Sequence, residues 1–408
     1  MLLRTLNDAQ LTYCTNVHPG ETLPAVRALL KKHVLAVKRA VAPEQPFGLG
    51  LRLAAAAADA LDNAEELQRF KAELEADGLY CFTLNGFPYG AFHATRVKER
   101  VYLPDWQAPE RLRYTTVLAR VLGELLPPGV KGSISTVPGC FKPNVNGPDS
   151  ERVMANAMID VVAMLVEITR SRGRHITLAL EPEPECFLET TDDALRFFEK
   201  HLFSRAGLQR LVDVADVDPA DAERTLRRHL GVCLDTCHAS VEFEAPLEAW
   251  RKLRSAGIAV PKVQLSAGLR LAQATPDALD ALRAFSDGVY LHQTVVRSAS
   301  GVLSRYQDLP EALAGAPVDG AEWRVHFHVP IFLRELGLFE STQADLLPLL
   351  NELSTVADCP HLEVETYTWD VLPERFRNVP IEDAIARELR FVQDTLGGAL
   401  AAAGAGRA

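Results

Sequence analysis

Acidic, amide and imidazole side chains recur at the carboxyl ends of short apolar segments in the second half of the chain. The segment GVCLDTCH, residues 231–238, is apolar until it reaches Asp235, and His238 follows three residues later. An ionised carboxylate at such a position is costly to bury unless a cation or several donors are close to it. Other segments end in the same way: Glu181 and Glu183 in LALEPEP, Gln264 in KVQLSAG, His326 and His328 in VHFHVP, and Glu363 and Glu365 in LEVETYTW.

These residue types together predict a divalent metal centre. Several carboxylates at one place repel each other and raise one another's pKa unless a cation stabilises them. Carboxylates with an amide oxygen and imidazoles, and without thiolate, suit Mn2+, Mg2+, Co2+ or Zn2+. A metal at an open site polarises a substrate carbonyl and the adjacent hydroxyl, and it stabilises the enediolate formed when a carbon-bound proton is removed. Two carboxylates on opposite sides could exchange that proton.

Each of these groups taken singly has a structural alternative. A carboxylate at a strand end is often a helix cap or a surface charge. Residues two apart on a strand share a face, so His326 pairs with His328 and Glu363 with Glu365. For the two histidines the alternative is a buried pair that is satisfied by backbone groups. The recurrence of such groups in five segments favours one common site.

The chain alternates apolar segments with amphipathic ones. We interpret as strands LTYCTNVHP, PFGLGLRL, LYCFTLNGFP, GSISTVPG, HITLALEPEP, GVCLDTCH, PKVQLSAG, RVHFHVP and HLEVETYTW, with a further one at GVYLHQ. Segments such as PAVRALLKKHVLAVKRAV and NAEELQRFKAELEAD have helical apolar spacing. About eight such units predict an α/β fold closed into a (β/α)8 TIM barrel, whose catalytic groups collect at the carboxyl ends of the strands.

The strand count exceeds eight by one or two, which predicts an insertion. Roughly a hundred residues separate PKVQLSAG from HLEVETYTW, more than one βα unit needs. We therefore expect a single TIM-barrel domain over residues 1–396, with an insertion at about 270–335 between the seventh and eighth strands. Residues 397–408, GGALAAAGAGRA, are predicted to form a flexible C-terminal tail because they have little apolar diversity.

Composition excludes several classes of protein. Of the 408 residues 48% are hydrophobic and 24% charged, which is typical of a globular chain with its own core. The net charge of -11 argues against nucleic-acid binding. Seven scattered cysteines indicate reduced thiols, and no segment is typical of a signal peptide or a membrane span. We expect a cytoplasmic protein without membrane insertion, and a homodimer is compatible with the sequence.

The order of these motifs resembles the xylose-isomerase-like TIM barrels, which include sugar isomerases, sugar 3-epimerases and endonuclease IV. The resemblance implies that Glu181 follows the fifth strand as a metal ligand and that Asp235, with His238 three residues later, follows the sixth. It implies further ligands at Gln264 on the seventh strand and Glu365 on the eighth. Glu181 and Glu365 would also be the catalytic, proton-transferring carboxylates. Gln264 stands where many epimerases have histidine.

Longer strings resemble the EboE-type branch, which is associated with secondary-metabolite traffic operons. These strings are LTYCTNVHPGE, TLNGFPYG and HFHVPIF, and the resemblance covers nearly the whole chain. The HFHVP segment has no obvious counterpart in the small sugar epimerases. The expected substrate-binding residues are His238, His326, His328, His18, Asn85 and Glu183, with Asn16, His292 and Gln293 as further candidates and capping or turn roles as the alternative.

The leading functional hypothesis is a metal-dependent isomerase or epimerase of a secondary-metabolite pathway. Its partner would be a small polyhydroxylated metabolite such as a sugar or a cyclitol. A second hypothesis is a non-catalytic metabolite-binding or traffic protein on the same fold. A third is a metal-dependent phosphodiester hydrolase, against which the acidic charge and the lack of a Lys/Arg stripe count.

Overall fold

The computed structural model of the chain describes residues 1–3, 9–93, 96–315, 320–374 and 377–405. Within these ranges the strands are β1 Leu2–Leu3, β2 Ala9–Tyr13, β3 Phe47–Arg52, β4 Leu79–Asn85, β5 Gly132–Thr136, β6 Ile176–Leu180, β7 Leu230–Asp235, β8 Ala259–Leu265, β9 Leu269–Leu271, β10 Thr294–Arg297, β11 Leu303–Tyr306, β12 Glu322–Val325, β13 Glu340–Ser341 and β14 His361–Val364. The α-helices are α1 Leu23–Leu29, α2 Leu35–Val41, α3 Ala55–Leu61, α4 Ala64–Ala76, α5 Pro109–Leu125, α6 Ser150–Arg172, α7 Thr191–Phe197, α8 Arg205–Ala215, α9 Ala222–His229, α10 Thr236–Val241, α11 Pro246–Ser255, α12 Pro276–Leu282, α13 Leu309–Gly315, α14 Gln343–Leu353 and α15 Ile381–Ala405.

Eight strands form the parallel barrel that the alternating sequence pattern predicts. Their hydrogen-bonded order is β2-β14-β8-β7-β6-β5-β4-β3, and every neighbouring pair in it is parallel. A parallel bridge between Cys14 and Gly50 joins the two ends of this order and closes the barrel. The short β1 pairs antiparallel with β2. The TIM-barrel prediction is therefore confirmed.

A buried ion pair lies inside the barrel. The Lys262 Nζ atom is 2.5 Å from Glu363 Oε2, and both side chains are fully buried. Lys262 Nζ also donates to Ser135 Oγ at 3.2 Å. Gly50 on β3 makes room for Glu363, because a Cβ atom there would lie 2.0 Å from Glu363 Oε1. Glu363 is therefore neutralised by its own lysine, one strand layer below Glu365.

A second sheet lies between β8 and β14 along the chain. It is antiparallel, with the order β11-β10-β12-β9-β13. The elements of this sheet span residues 269–341, and the predicted insertion covers 270–335, of which residues 316–319 lie outside the described residues. The predicted strand RVHFHVP ends at Val325, so His326 and His328 lie in the segment that follows β12.

The predicted strand GVYLHQ does not form. Its backbone amides are taken by carboxylates instead of a neighbouring strand, because Val289 and Tyr290 N–H donate to Asp287 Oδ1 and His292 N–H donates to Asp308 Oδ1. Such local side-chain acceptors compete with a sheet ladder. Pairing begins only at Thr294, the first residue of β10.

Two helices show how well the helical patterns predict structure. The Asn63 side chain caps α4 by accepting from Glu66 N–H, as expected for that residue. The last helix, α15, continues to Ala405, so part of the segment expected to fray is helical, and residues 406–408 lie outside the described residues. A flexible tail stays a prediction.

Among the helices of the described ranges, none has the length and apolar character needed to cross a lipid bilayer.

Candidate metal centre

Three carboxylates converge at the carboxyl ends of the barrel strands. Glu181 follows β6, Asp235 ends β7 and caps α10, and Glu365 follows β14. One oxygen from each lies within 4.8 Å of the other two, and all three residues are buried. Strand ends that are more than fifty residues apart in the chain therefore deliver three acidic groups to one point, as parallel barrel geometry allows.

Two of the three carboxylates keep a buried oxygen atom that no hydrogen bond engages. Glu181 Oε2 and Asp235 Oδ2 are buried and have no hydrogen-bond partner. Asp235 Oδ1 accepts from Ser266 Oγ at 2.7 Å and from His238 N–H at 2.9 Å. Glu365 Oε1 accepts from Asn16 Nδ2 at 2.7 Å and from Asn85 Nδ2 at 3.1 Å. Neutral donors therefore hold one oxygen of Asp235 and one of Glu365, and free oxygens remain for a cation.

The electrostatics match a cation site. Burial, together with the Glu365 and Asp235 carboxylates, raises the pKa of Glu181 well above its usual range. Burial and Asp235 do the same to the pKa of Glu365. Burial opposes ionisation of Asp235 as well, but the His238 imidazole and the Ser266 hydroxyl outweigh it and lower its pKa. Within the described residues, no lysine or arginine forms an ion pair with these three groups.

Three imidazoles lie beside the carboxylates, and their Nδ1 atoms all face acceptors. His238 Nδ1 lies 3.0 Å from Pro182 O, His326 Nδ1 lies 2.7 Å from Gln293 Oε1, and His328 Nδ1 lies 2.6 Å from Glu365 O. These partners assign the proton of each neutral ring to Nδ1 and leave Nε2 as an acceptor. Burial lowers the pKa of His328 to about 4, and its Nε2 has no partner.

The imidazoles belong to the same cluster as the carboxylates. Ring nitrogens of His238 and His328 lie within 4.8 Å of an Asp235 oxygen and of each other. The same holds for His238 and His326 with a Glu183 oxygen. His326 and His328 come from the segment after β12, so the second sheet contributes directly to the mouth of the barrel.

Glu183 is held by a polar network of its own. Its Oε1 atom accepts from the Tyr102 hydroxyl at 2.7 Å and from Gln293 Nε2 at 3.2 Å. Gln293 Nε2 also lies 2.7 Å from the Tyr102 hydroxyl oxygen and 3.2 Å from Pro184 O. These acceptors fix the Gln293 amide so that its oxygen faces His326.

Gln264 lies in the barrel interior, in register with Asp235 on β7 and Glu363 on β14. Its Oε1 atom accepts from the Cys233 thiol at 3.1 Å, and its Nε2 has no partner. The atom expected to bind metal is therefore already engaged in a hydrogen bond. Its role as a ligand stays a prediction, and the free His328 Nε2 is a second candidate for that role.

A cavity opens onto the cluster. Its polar wall includes Asn16, Asn85, Glu181, Glu183, His238, His326 and Glu365. The apolar and aromatic part of the lining includes Phe87, Phe92, Val97, Val101, Tyr290 and Leu291. Lys98 is the one lysine or arginine among the described lining residues, and its Nζ lies 2.5 Å from Asp308 Oδ2. The lining therefore combines ionisable groups with apolar and aromatic side chains.

The structure brings together most of the residues expected at the mouth. His18 is not among the residues that line the cavity. Its Nε2 atom forms a hydrogen bond with the Tyr13 hydroxyl at 3.1 Å, and its ring stacks on that of His33 with the centroids 4.2 Å apart. His292 is also engaged elsewhere, with Asp287 at 2.5 Å and His326 O at 3.0 Å. Both are packed histidines rather than members of the cluster.

Sequence reasoning missed three residues of the site. Ser266 lies two residues beyond Gln264, and Tyr367 lies two residues beyond Glu365, so strand periodicity past the strand ends was a usable signal for both. Tyr102 ends a short 3-10 segment, Lys98–Tyr102, that no apolar strand precedes. No local pattern marks it.

The fold is that of the xylose isomerase-like TIM barrels. No protein-family model matches the chain, and no curated protein matches it. A xylose isomerase-like TIM barrel protein from Mycobacterium smegmatis, solved in complex with magnesium, is 11% identical, with 96% of this chain and 98% of that chain covered and a TM-score of 0.52. A D-tagatose 3-epimerase-like protein is 12% identical over 98% of this chain and 100% of its own, with a TM-score of 0.44. The IolI protein with a bound zinc atom is 12% identical, with 95% of this chain and 98% of that chain covered and a TM-score of 0.44.

Proposed function

We propose that the protein is a metal-dependent isomerase or epimerase that acts on a sugar or a cyclitol. The observation that carries the proposal is the convergence of Glu181, Asp235 and Glu365, which bring one oxygen each to within 4.8 Å of the others and have no lysine or arginine partner among the described residues. These residues fit a divalent cation, with His328 Nε2 or Gln264 as the further ligand. The magnesium complex of the similar M. smegmatis fold is consistent with such a site.

The cation would supply the positive charge that favours removal of a proton from a carbon next to a carbonyl, by stabilising an enediolate. The chain supplies the proton carriers. Glu181 and Glu365 both line the cavity, and burial with the neighbouring carboxylates raises the pKa of both, so each keeps a proton to a higher pH than an ordinary glutamate does. An epimerase needs one acid and one base on the two faces of the reacting carbon. We assign these roles to Glu181 and Glu365.

The rest of the cavity suits an uncharged, hydroxylated substrate. Polar groups of Asn16, Asn85 and His238 lie in the lining and can hydrogen-bond to hydroxyls. Lys98 is already paired with Asp308, so the described lining offers no free cation for a phosphate. This favours a substrate without a phosphate group over one whose phosphate is held by lysine or arginine.

Deuterium exchange tests the proposal. The metal-loaded protein is incubated in deuterated water with a panel of ketoses and cyclitols, and each compound is analysed by NMR for deuterium on carbon. We expect solvent deuterium at one carbon of at least one compound. Glu365→Gln should abolish this exchange, whereas Glu110→Gln, at an exposed site on α5, should leave it unchanged.

The alternative function is a metabolite carrier without catalytic activity, as the resemblance to the EboE-type branch and its association with metabolite traffic suggest. A compound that binds the wild-type protein, and binds the Glu365→Gln variant equally, without any deuterium incorporation would indicate a carrier rather than an enzyme. That result would contradict the proposed chemistry while leaving the cavity as a binding site.

A further inference from the structure

A second cavity lies at the opposite end of the barrel from the metal centre. Four of its lining residues are the first or second residues of barrel strands: Gly132 of β5, Thr177 of β6, Ala259 of β8 and His361 of β14. The three carboxylates of the metal centre lie at the other, carboxyl ends of barrel strands. The second cavity is therefore a separate feature of the molecule, and we call it the amino-end cavity.

The lining of the amino-end cavity is rich in positive charge. It contains Lys131, Arg227, Arg228 and Arg254, and Asp358 is the one carboxylate among the described lining residues. Asp358 is paired with Lys131 at 2.7 Å. The chain as a whole has 54 acidic and 43 basic residues. The charge of this cavity is therefore opposite in sign to the net charge of the molecule.

One of these arginines has a structural role. Arg227 pairs with Glu223 at 2.7 Å, and its Nη1 atom donates to the carbonyl oxygens of Ala256 and Gly257 at 3.0 and 2.9 Å. Gly257, at φ +68°, leaves room for this guanidinium, since a Cβ atom there would lie 2.8 Å from Arg227 Nη1. Cations stabilise the C-terminal end of a helix in this way. Capping of α11 therefore accounts for Arg227.

Arg228 and Arg254 form no ion pair with a carboxylate in the part of the chain that the structure describes. Arg228 Nε donates to His175 Nδ1 at 3.3 Å, and its two terminal amino groups form no hydrogen bond with the described residues. Burial lowers the pKa of His175 to about 3, so this ring is neutral and can accept. The Arg254 guanidinium lies over the Trp250 ring, 5.0 Å from its centroid. Both guanidiniums therefore keep donors that a ligand can use.

Two guanidiniums in one cavity suit a small oxyanion. The planar guanidinium offers paired N–H donors that match the oxygens of a phosphate or a carboxylate. Lys131 adds a further positive charge to the lining, which favours a doubly charged phosphate group over a single carboxylate. The acidic character of the chain as a whole disfavours an extended polyanion such as a nucleic acid.

We infer that the amino-end cavity binds the phosphate group of a small soluble metabolite through Arg228 and Arg254. The inference does not depend on the reaction proposed above. None of the described residues that line the amino-end cavity also lines the cavity at the metal centre.

Titration calorimetry with inorganic phosphate tests this inference. The full-length wild-type protein and Arg228→Gln are compared in buffer without added metal. We expect one phosphate to bind per wild-type chain and the affinity of Arg228→Gln to be lower by about tenfold or more, because charge-assisted hydrogen bonds are lost. The matched control Arg224→Gln removes an exposed arginine of the same helix, paired with Asp221 outside the cavity, and should bind phosphate like the wild type.

A wild-type protein without saturable phosphate binding would overturn the inference, and so would equal affinity in Arg228→Gln. If Arg228→Gln does not fold, as judged by circular dichroism, Arg254→Gln replaces it with the same expectation. Cosedimentation with phosphatidylglycerol vesicles that depends on Arg228 would indicate a lipid headgroup and overturn the assignment to a soluble ligand. Phosphate binding without deuterium exchange would contradict the proposed reaction alone, and exchange without phosphate binding would contradict this inference alone.

Discussion

At the scale of single residues, the site depends on neutral donors that hold Glu365 without neutralising it. Asn16 and Asn85 both donate to Glu365 Oε1, from the ends of two different strands. An amide fixes the orientation of a carboxylate but leaves its charge available to a metal. Lys262 and Glu363, one layer below, show the opposite case, in which a direct ion pair removes a carboxylate from the site.

Asn16→Ala should weaken metal binding by about 10–100-fold, since ligand-orienting partners typically have effects of that size. The Asn16 side chain has Glu365 as its hydrogen-bond partner, and its own Oδ1 is unpartnered, so the fold should be little affected. Isothermal titration with Mn2+ measures the change. Asn351→Ala, at an exposed position of α14, is the control and should bind Mn2+ like the wild type. Unchanged affinity in Asn16→Ala would contradict the role given to this amide.

Metal binding should release protons. The pKa values of Glu181 and Glu365 are raised in the metal-free protein, so these groups retain protons at a pH where an ordinary glutamate is ionised. A cation binds the ionised form and must displace those protons. Affinity for Mn2+ should therefore rise with pH and fall as the pH is lowered toward the usual glutamate pKa. Titration calorimetry in two buffers of different ionisation enthalpy measures the release, and identical enthalpies in both would contradict the prediction.

At the scale of elements, the strands position the site through their register. The register of the sheet aligns Asp235 on β7 with Gln264 on β8, and Gln264 with Glu363 on β14. Polar side chains from three strands therefore lie at the same height in the barrel. The Lys262–Glu363 pair lies inside the barrel and joins β8 to β14. Because Lys262 and Glu363 lie on adjacent strands, substitutions of this pair measure how much a buried ion pair contributes to the stability of the barrel.

Lys262→Met should destabilise the protein by about 3–5 kcal/mol, because it leaves the buried Glu363 carboxylate without its cation. The double variant Lys262→Met with Glu363→Leu should recover most of this loss, since no buried charge remains. Urea denaturation followed by circular dichroism measures both free energies of unfolding. A double variant less stable than Lys262→Met would contradict this account of the interior.

The sequence predicts the barrel well because short, mostly apolar segments alternate with helical ones, and acidic residues lie at or just after the ends of β6, β7 and β14. Glu181, Asp235 and Glu365 could be singled out in that way. The second sheet was harder to predict, because β11, with the sequence LSRY, has little apolar alternation and β9 has three residues. The assignment of GVYLHQ as a strand is wrong because Asp287 and Asp308 bind its backbone amides. Side-chain contacts across distant segments, such as those of Tyr102 and Glu183, leave no local pattern.

At the scale of the whole molecule, two substructures meet at one mouth. The parallel barrel provides the carboxylates, and the segments that flank β10 and β12, between β8 and β14, provide His326, His328, Tyr290 and Leu291. The similar solved structures share the barrel fold. Among the histidines that follow β12, His328 brings a ring nitrogen to within 4.8 Å of an Asp235 oxygen.

The most direct test of the central claim is the anomalous difference map of a crystal grown with Mn2+. We expect a peak between Glu181, Asp235 and Glu365 that is in contact with one oxygen of each, and we expect it to be missing in a Glu181→Gln crystal. A map without a peak at this point, while Mn2+ is bound elsewhere on the chain, would contradict the assignment of these three carboxylates as a metal centre.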